Sequence, residues 1–232
     1  MKQYLVIGGS SGIGNAITRQ LQSEQCNVFA SYHNNKKDSY STVQYFYLDV
    51  LDPAPAPGLL PEVLDGLVYC PGTIMLKPFA RIKPEDYLQD YQLQVLGAIR
   101  IIQQVLPNLK NSTGASIVLF STVAVQTGFN FHSIIASSKG AIEGLTRSLA
   151  AELAPKIRVN CIAPSITNTP LAETLINTPE KKEANAQRHP LKKIGTPADI
   201  AAMACFLLGD QSGWITGQVI HVDGGISTLK TS

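Results

Sequence analysis

The sequence holds little net charge, no metal-binding spacing and no segment suited to a membrane. Nineteen lysines and arginines against seventeen aspartates and glutamates leave a formal charge of +2, too weak a field to imply nucleic acid or an anionic membrane as partner. Cys26, Cys70, Cys161 and Cys205 stand far apart, without metal-ligand or redox spacing, so free buried thiols and no metal are expected. No basic region followed by an apolar stretch opens the chain, and Leu5 to Ile7 is far too short to span a bilayer. A cytoplasmic protein is expected. Repeats and low-complexity tracts are absent as well. The 232 residues suffice for a sizeable core and read as one domain.

What is present begins at Tyr4. An apolar strand runs into Gly8-Gly-Ser-Ser-Gly12-Ile-Gly14, and Asn15 to Leu21 continues as a helix. Gly8 permits a tight turn, Gly12 lets backbone approach a pyrophosphate, and Gly14 lets helix and strand pack closely, with the helix N-terminus facing the anion. Ser10, Ser11 and Ile13 complete this cofactor-binding turn. Spaced glycines alone are weak evidence, but strand before and helix after is the context that dinucleotide binding requires.

Strand-like and helix-like segments then alternate, predicting an α/β protein with a doubly wound parallel sheet and helices on both faces. Strands are expected at Cys26 to Tyr32, Val43 to Val50, Gly66 to Cys70 and Ala115 to Ser121. Pro53 to Gly58 reads as a short proline-rich connector into a helical Leu59 to Leu64. Pro84 to Leu109 carries one long helical pattern. From Ser133 to Leu153, Ile135, Ile142, Leu145, Leu149 and Leu153 mark the apolar side of another helix.

The glycine turn, Leu48-Asp49-Val50, Ile157-Arg-Val-Asn160-Cys-Ile-Ala-Pro164, and His189 to Ile200 leading to Ile215-Thr-Gly217 and Asp223-Gly-Gly225 together resemble the short-chain dehydrogenase/reductase family. The likeness spans essentially the whole chain and is nearest the branch that includes 3-oxoacyl-carrier-protein reductases. It implies a Rossmann-like fold, a nicotinamide cofactor, a carbonyl or alcohol substrate, and assembly as a homodimer or homotetramer.

The resemblance also implies catalysis by an Asn, a Ser, a Tyr and a Lys, with Tyr and Lys one helical turn apart on one face. Lys139 matches the Lys, and by implication also bonds the nicotinamide ribose. Ile135 stands where the Tyr is expected, Thr122 at the Ser, Gln94 at the Asn, and Tyr69-Cys70-Pro71-Gly72 replaces Asn-Asn-Ala-Gly, retaining only Gly72. An isoleucine donates no proton, and loss of a positioned acid ordinarily costs about 10²- to 10⁴-fold. Substitute donors are His132, Ser133, a water held by Thr122, or Lys139 itself if burial lowers its pKa from about 10.4. His132 also reads as a helix cap or a solvated side chain.

For the cofactor, Asp49 and Val50 are expected to border the adenine, Pro164 and Ile166 the carboxamide, and Thr169 the phosphates. No carboxylate occurs from Ser31 to Lys37, so NADP(H) is expected over NAD(H), with His33, Asn34 or Lys36 meeting the extra phosphate. Residues of about 167–195 take the place of the family's mobile substrate lid. Its cations, among them Lys181, Lys182, Arg188, Lys192 and Lys193, suit either a solvated face or an acidic, possibly carrier-bound substrate. Two functions remain open: an oxidoreductase with a substitute proton donor, or a nucleotide-binding sensor, scaffold or assembly partner without redox chemistry.

Overall fold

The computed structural model describes residues 1–52 and 59–230. Seven parallel strands form one sheet: β1 (Gln3–Ile7), β2 (Asn27–Tyr32), β3 (Val43–Tyr47), β4 (Gly66–Tyr69), β5 (Ala115–Phe120), β6 (Ile157–Pro164) and β7 (Val219–Val222), in the order β3-β2-β1-β4-β5-β6-β7. The winding direction reverses between β1 and β4, which opens a crevice at the carboxyl ends of the strands.

The strands read as nearly unbroken apolar runs because both faces are covered. Tyr4 and Val6 join Val28, Val68 and Val118 in one layer, while Leu5 and Ile7 join Leu67, Ile117 and Leu119 in the other. The helices are α1 (Gly12–Ser23), α2 (Pro84–Tyr91), α3 (Gly97–Lys110), α4 (Ala124–Thr127), α5 (Ser133–Leu153), α6 (Glu173–Ile176), α7 (Pro179–Gln187) and α8 (Pro197–Leu208). Helices α1 and α8 cover the first layer through Ile17, Leu21, Ile200, Ala204 and Leu207. Helices α3 and α5 cover the second through Ile101, Val105, Leu109, Ile142 and Leu153. No described helix is long and apolar enough to cross a membrane.

Two expectations change. Leu59 to Leu64 is not helical; Pro61 disfavours helical backbone at Leu60 before it. Its backbone is tied sideways instead: the Asn108 amide donates to the Pro61 carbonyl and the Asn111 amide to that of Glu62. The Leu64 N–H donates to the Asn108 carbonyl. Leu59 and Leu60 still pack against the core. The connector Pro53 to Gly58 lies outside the described residues.

The long pattern from Pro84 is also interrupted. A π turn over Gln92–Leu96 separates α2 from α3, a distortion that often marks functional sites. Tyr69, at the end of β4, donates its hydroxyl to the Leu93 carbonyl inside this turn at 2.6 Å. Gly97 makes room, since a Cβ there would collide with that hydroxyl. We expect Gly97→Ala to cost about 1–3 kcal/mol by overpacking, measured by urea denaturation. In a Tyr69→Phe background the same change should cost much less, because the colliding atom is gone.

Candidate active site

The glycine turn has the backbone its sequence demands. Gly8 and Gly12 adopt φ +75° and +51°, where side chains are disfavoured. At Gly14 a Cβ would run into the Gly8 carbonyl. The turn is clamped: the Gly8 N–H donates to Ser31 Oγ at 2.9 Å, and Thr18 donates to the Gly14 carbonyl at 2.9 Å. Ser10 is buried. Ser11 occupies the N-cap of α1 with an extended backbone, yet its side chain makes no cap bond, which leaves the helix's first N–H groups open to an anion. Thr169 faces Gly12, 3.5 Å from where a Cβ would stand. The residues present therefore fit a dinucleotide, with its phosphates between this turn and Thr169.

Further along the strand ends, His33 Nε2 lies 3.7 Å from Asp49 Oδ2, and the His33 ring sits 5.8 Å from that of Tyr47. Asn34 and Lys36 project into solvent. Lys37, rather than Lys36, turns back and donates to Asn15 Oδ1 near the start of α1. Burial and the nearby Arg19 lower its pKa below the ordinary lysine value. Val50 is buried in the core, against the space kept open by Gly97.

A cavity of about 460 Å³ opens at the carboxyl ends of β4, β5 and β6. It brings together Ile13, Gly72, Gln94, Thr122, His132, Ile135, Lys139, Pro164, Ile166 and Thr169. Gly8, Ser10, Ser11, His33, Asn34, Asp49 and Val50 do not line it.

Lys139, on α5, is buried at its centre. Burial draws its pKa down to about 8, against the opposing pull of Cys161, Asp90 and Cys70. The thiols of Cys70 and Cys161 are pushed up to about 12 by their own burial, so neither is a thiolate nucleophile near neutrality. Ile135, one turn before Lys139, is 6 % exposed and presents only hydrocarbon to the cavity.

The hydroxyls divide. Thr122 lines the cavity and accepts from the Ala124 N–H at 3.3 Å. Ser121 donates to Glu143 at 2.7 Å, and Ser133 accepts from the Tyr87 hydroxyl at 3.0 Å. The Thr122 hydroxyl hydrogen, unlike that of Ser121, has no acceptor among the described residues.

Gln94, at the centre of the π turn, is fully buried. Its Nε2 lies 2.8 Å from both carboxylate oxygens of Asp90. Its Oε1 has no partner among the described residues and lies 3.3 Å from where a Cβ on Gly72 would sit; Lys139 Nζ lies 3.8 Å from the same point. Asp90, itself buried and also accepting from the Thr73 hydroxyl, escaped sequence reasoning. Its position four residues before Gln94 in a helical run was the available signal.

His132 occupies the N-cap of α5, but its side chain makes no cap bond. Its Nδ1 lies 2.7 Å from the Asn130 carbonyl, so Nδ1 carries a hydrogen and only Nε2 is left free. His189, also unanticipated as a site residue, is buried with both nitrogens engaged: Nδ1 donates to the Asn185 carbonyl at 2.7 Å, and Nε2 accepts from Ser165 at 2.8 Å. It pins α7 to the end of β6. The segment over the cavity is closed at its base, where Thr167 pairs with Gly195.

Other motif residues hold architecture. Asn160 donates to the Ile215 carbonyl and accepts from the Gln218 N–H. Asp223 accepts from Gly225 and Ser227; burial alone would raise its pKa, but these bonds hold it below the ordinary value.

Comparison with known proteins shows the family and the fold. A family described as "Enoyl-(Acyl carrier protein) reductase" matches residues 8–227. The chain is 32% identical to 3-oxoacyl-[acyl-carrier-protein] reductase FabG of Thermotoga maritima, over 97% of both chains. A short chain dehydrogenase family protein from Francisella tularensis superposes with a TM-score of 0.90 at 29% identity, covering 99% of this chain and 100% of that one. A structure described as ElxO with NADP bound gives 0.87 at 26%, covering 98% and 99%. This chain belongs to the short-chain dehydrogenase/reductase family.

Proposed function

We propose that the chain, acting as one domain with residues 167–195 as its lid, is an NADP(H)-dependent oxidoreductase of a small carbonyl or alcohol compound, working without the family's tyrosine. The observation that carries this reading is that Lys139 and Gln94 Oε1 converge beside Gly72 in a cavity that Thr122 also lines. A bound nicotinamide supplies the hydride in reduction or accepts it in oxidation. Thr122 donates its hydroxyl hydrogen to the substrate oxygen and orients it. Lys139 presents its ammonium to the same oxygen and, in reduction, transfers the Nζ proton to it. Gln94, held by Asp90, turns its Oε1 toward the ammonium or a water bound there. His132 is the secondary donor, because Nε2 donates only when the ring carries two hydrogens.

The glycine turn and Thr169 hold the phosphates, Pro164 and Ile166 the carboxamide, and Asp49 the adenosine end. A preference for NADP(H) rests on the lack of a carboxylate from Ser31 to Lys37, with His33 and Asn34 meeting the extra phosphate and Lys37 and Arg19 adding positive charge behind them. Assembly as a homodimer or homotetramer in the cytoplasm accompanies this reading; Trp214, fully exposed before the edge strand β7, suits such a contact.

The test is loss of nicotinamide absorbance with a panel of apolar ketones and aldehydes, beside thermal shifts with NADPH and NADH. Turnover and a larger shift with NADPH are expected. Binding without turnover across the panel would favour a second reading, a cofactor-binding sensor, scaffold or assembly partner. Ile135 motivates it, since the position of the family's tyrosine carries a hydrocarbon side chain with no acidic proton to donate.

A further inference from the structure

The cavity has a one-sided charge pattern. Among the described residues its lining holds two cations, Lys139 and Arg188, and two histidines, but no aspartate or glutamate. Lys139 lies deep, where the proposed chemistry is. Arg188 sits at the rim, with its guanidinium 5.3 Å from the ring centroid of Phe129, and has no carboxylate partner among the described residues. The lining includes the hydrocarbon side chains of Leu76, Ile135, Leu171 and Leu175, beside uncharged polar groups such as Thr73 and Asn185.

Arg188 is also held in place. The neighbouring His189 is fixed at both ring nitrogens, which sets the backbone at the end of α7, and the Phe129 face supports the guanidinium by cation–π attraction. Phe129 is braced in turn by the His132 ring, 5.5 Å away. The guanidinium over Phe129 has no carboxylate partner among the described residues, and its N–H groups form the fork that matches a carboxylate bidentately. A cation fixed before binding loses little freedom when it takes a ligand.

We propose that the substrate is an apolar oxo or hydroxy acid: a carboxylate held by Arg188 at the rim, a hydrocarbon body along the walls, and the reacting oxygen at Thr122 and Lys139. This rests on the proposed function for the oxygen's location, so its test reads binding rather than turnover. Octanoate and its neutral counterpart octanamide are titrated calorimetrically into the NADPH-equilibrated wild type and an Arg188→Gln variant, whose folding is checked by thermal denaturation. Wild type should bind octanoate at least about tenfold more tightly than octanamide, the size of a charge-assisted pair. In Arg188→Gln the difference should vanish while octanamide affinity stays within about twofold. Equal wild-type affinities, no octanoate binding at millimolar levels, or equal weakening of both ligands in Arg188→Gln overturns the proposal. The last result would assign Arg188 to packing on Phe129. Failure of turnover in the ketone panel and with eight-carbon oxo acids, alongside a surviving octanoate preference, would instead sink the redox reading and leave this acid site standing.

Discussion

Replacing Lys139 with methionine is expected to lower kcat/KM for carbonyl reduction by about 10²- to 10⁴-fold, the range for loss of a positioned proton donor. The pH profile gives the more specific readout. Burial draws the Lys139 pKa to about 8, so the wild-type rate should fall as pH rises through that value and the ammonium is lost. The variant should lack this limb. Stability should move the other way. The ordinary lysine value is 10.5, so between about 8 and 10.5 the unfolded chain binds more protons than the folded one, and the wild type gains stability with rising pH across that window. Below it, the folded protein bears the full cost of a buried charge. The methionine variant should be more stable there and lack the upward slope. A variant less active and less stable at neutral pH would show that Lys139 holds the fold together instead.

The second large effect is a gain. Ile135→Tyr is expected to raise kcat by about 10²- to 10⁴-fold, by adding the acid that the position lacks. Ile135 already faces the cavity one turn before Lys139, so a larger ring extends into open volume rather than into the core. Its phenol, ordinarily near pKa about 10, would be drawn down by the ammonium. Ile135→Phe is the control, since it supplies the ring without the hydroxyl. Equal rates in the two variants would show that this position does not face the reacting oxygen, and that the family's chemistry does not map onto it.

Much of this site was legible in the residues because its requirements are local. Gly8, Gly12 and Gly14 announce a turn by what they lack, and the strands announce burial on both faces by unbroken apolar runs. The misreadings came from contacts between distant segments. Leu59 to Leu64 has apolar helix-like spacing, but side chains of α3 capture its carbonyls. The pattern from Pro84 gives no warning of the π turn, whose Leu93 carbonyl is claimed by Tyr69 from another element. His189 looks like an ordinary polar residue, and only folding places it against Ser165, whereas Asp90 under Gln94 is a local pair that helical spacing already offered. Lys36 and Lys37 are neighbours of identical charge. Backbone direction alone decides that the second reaches α1.

The pairing of Thr167 with Gly195 sets how this protein can change over evolutionary time. An excursion tied to the scaffold at that pair and again through His189 to Ser165 can lengthen or shorten between those ties, where each doubling of its length costs only about 0.6 kcal/mol of closure entropy. Arg188 lies within that excursion, whereas Lys139 and the glycine turn lie outside it. Under the proposed roles, the acid contact at Arg188 can therefore drift while Lys139 and the glycine turn stay as they are, with Thr169 the one proposed phosphate contact inside the excursion.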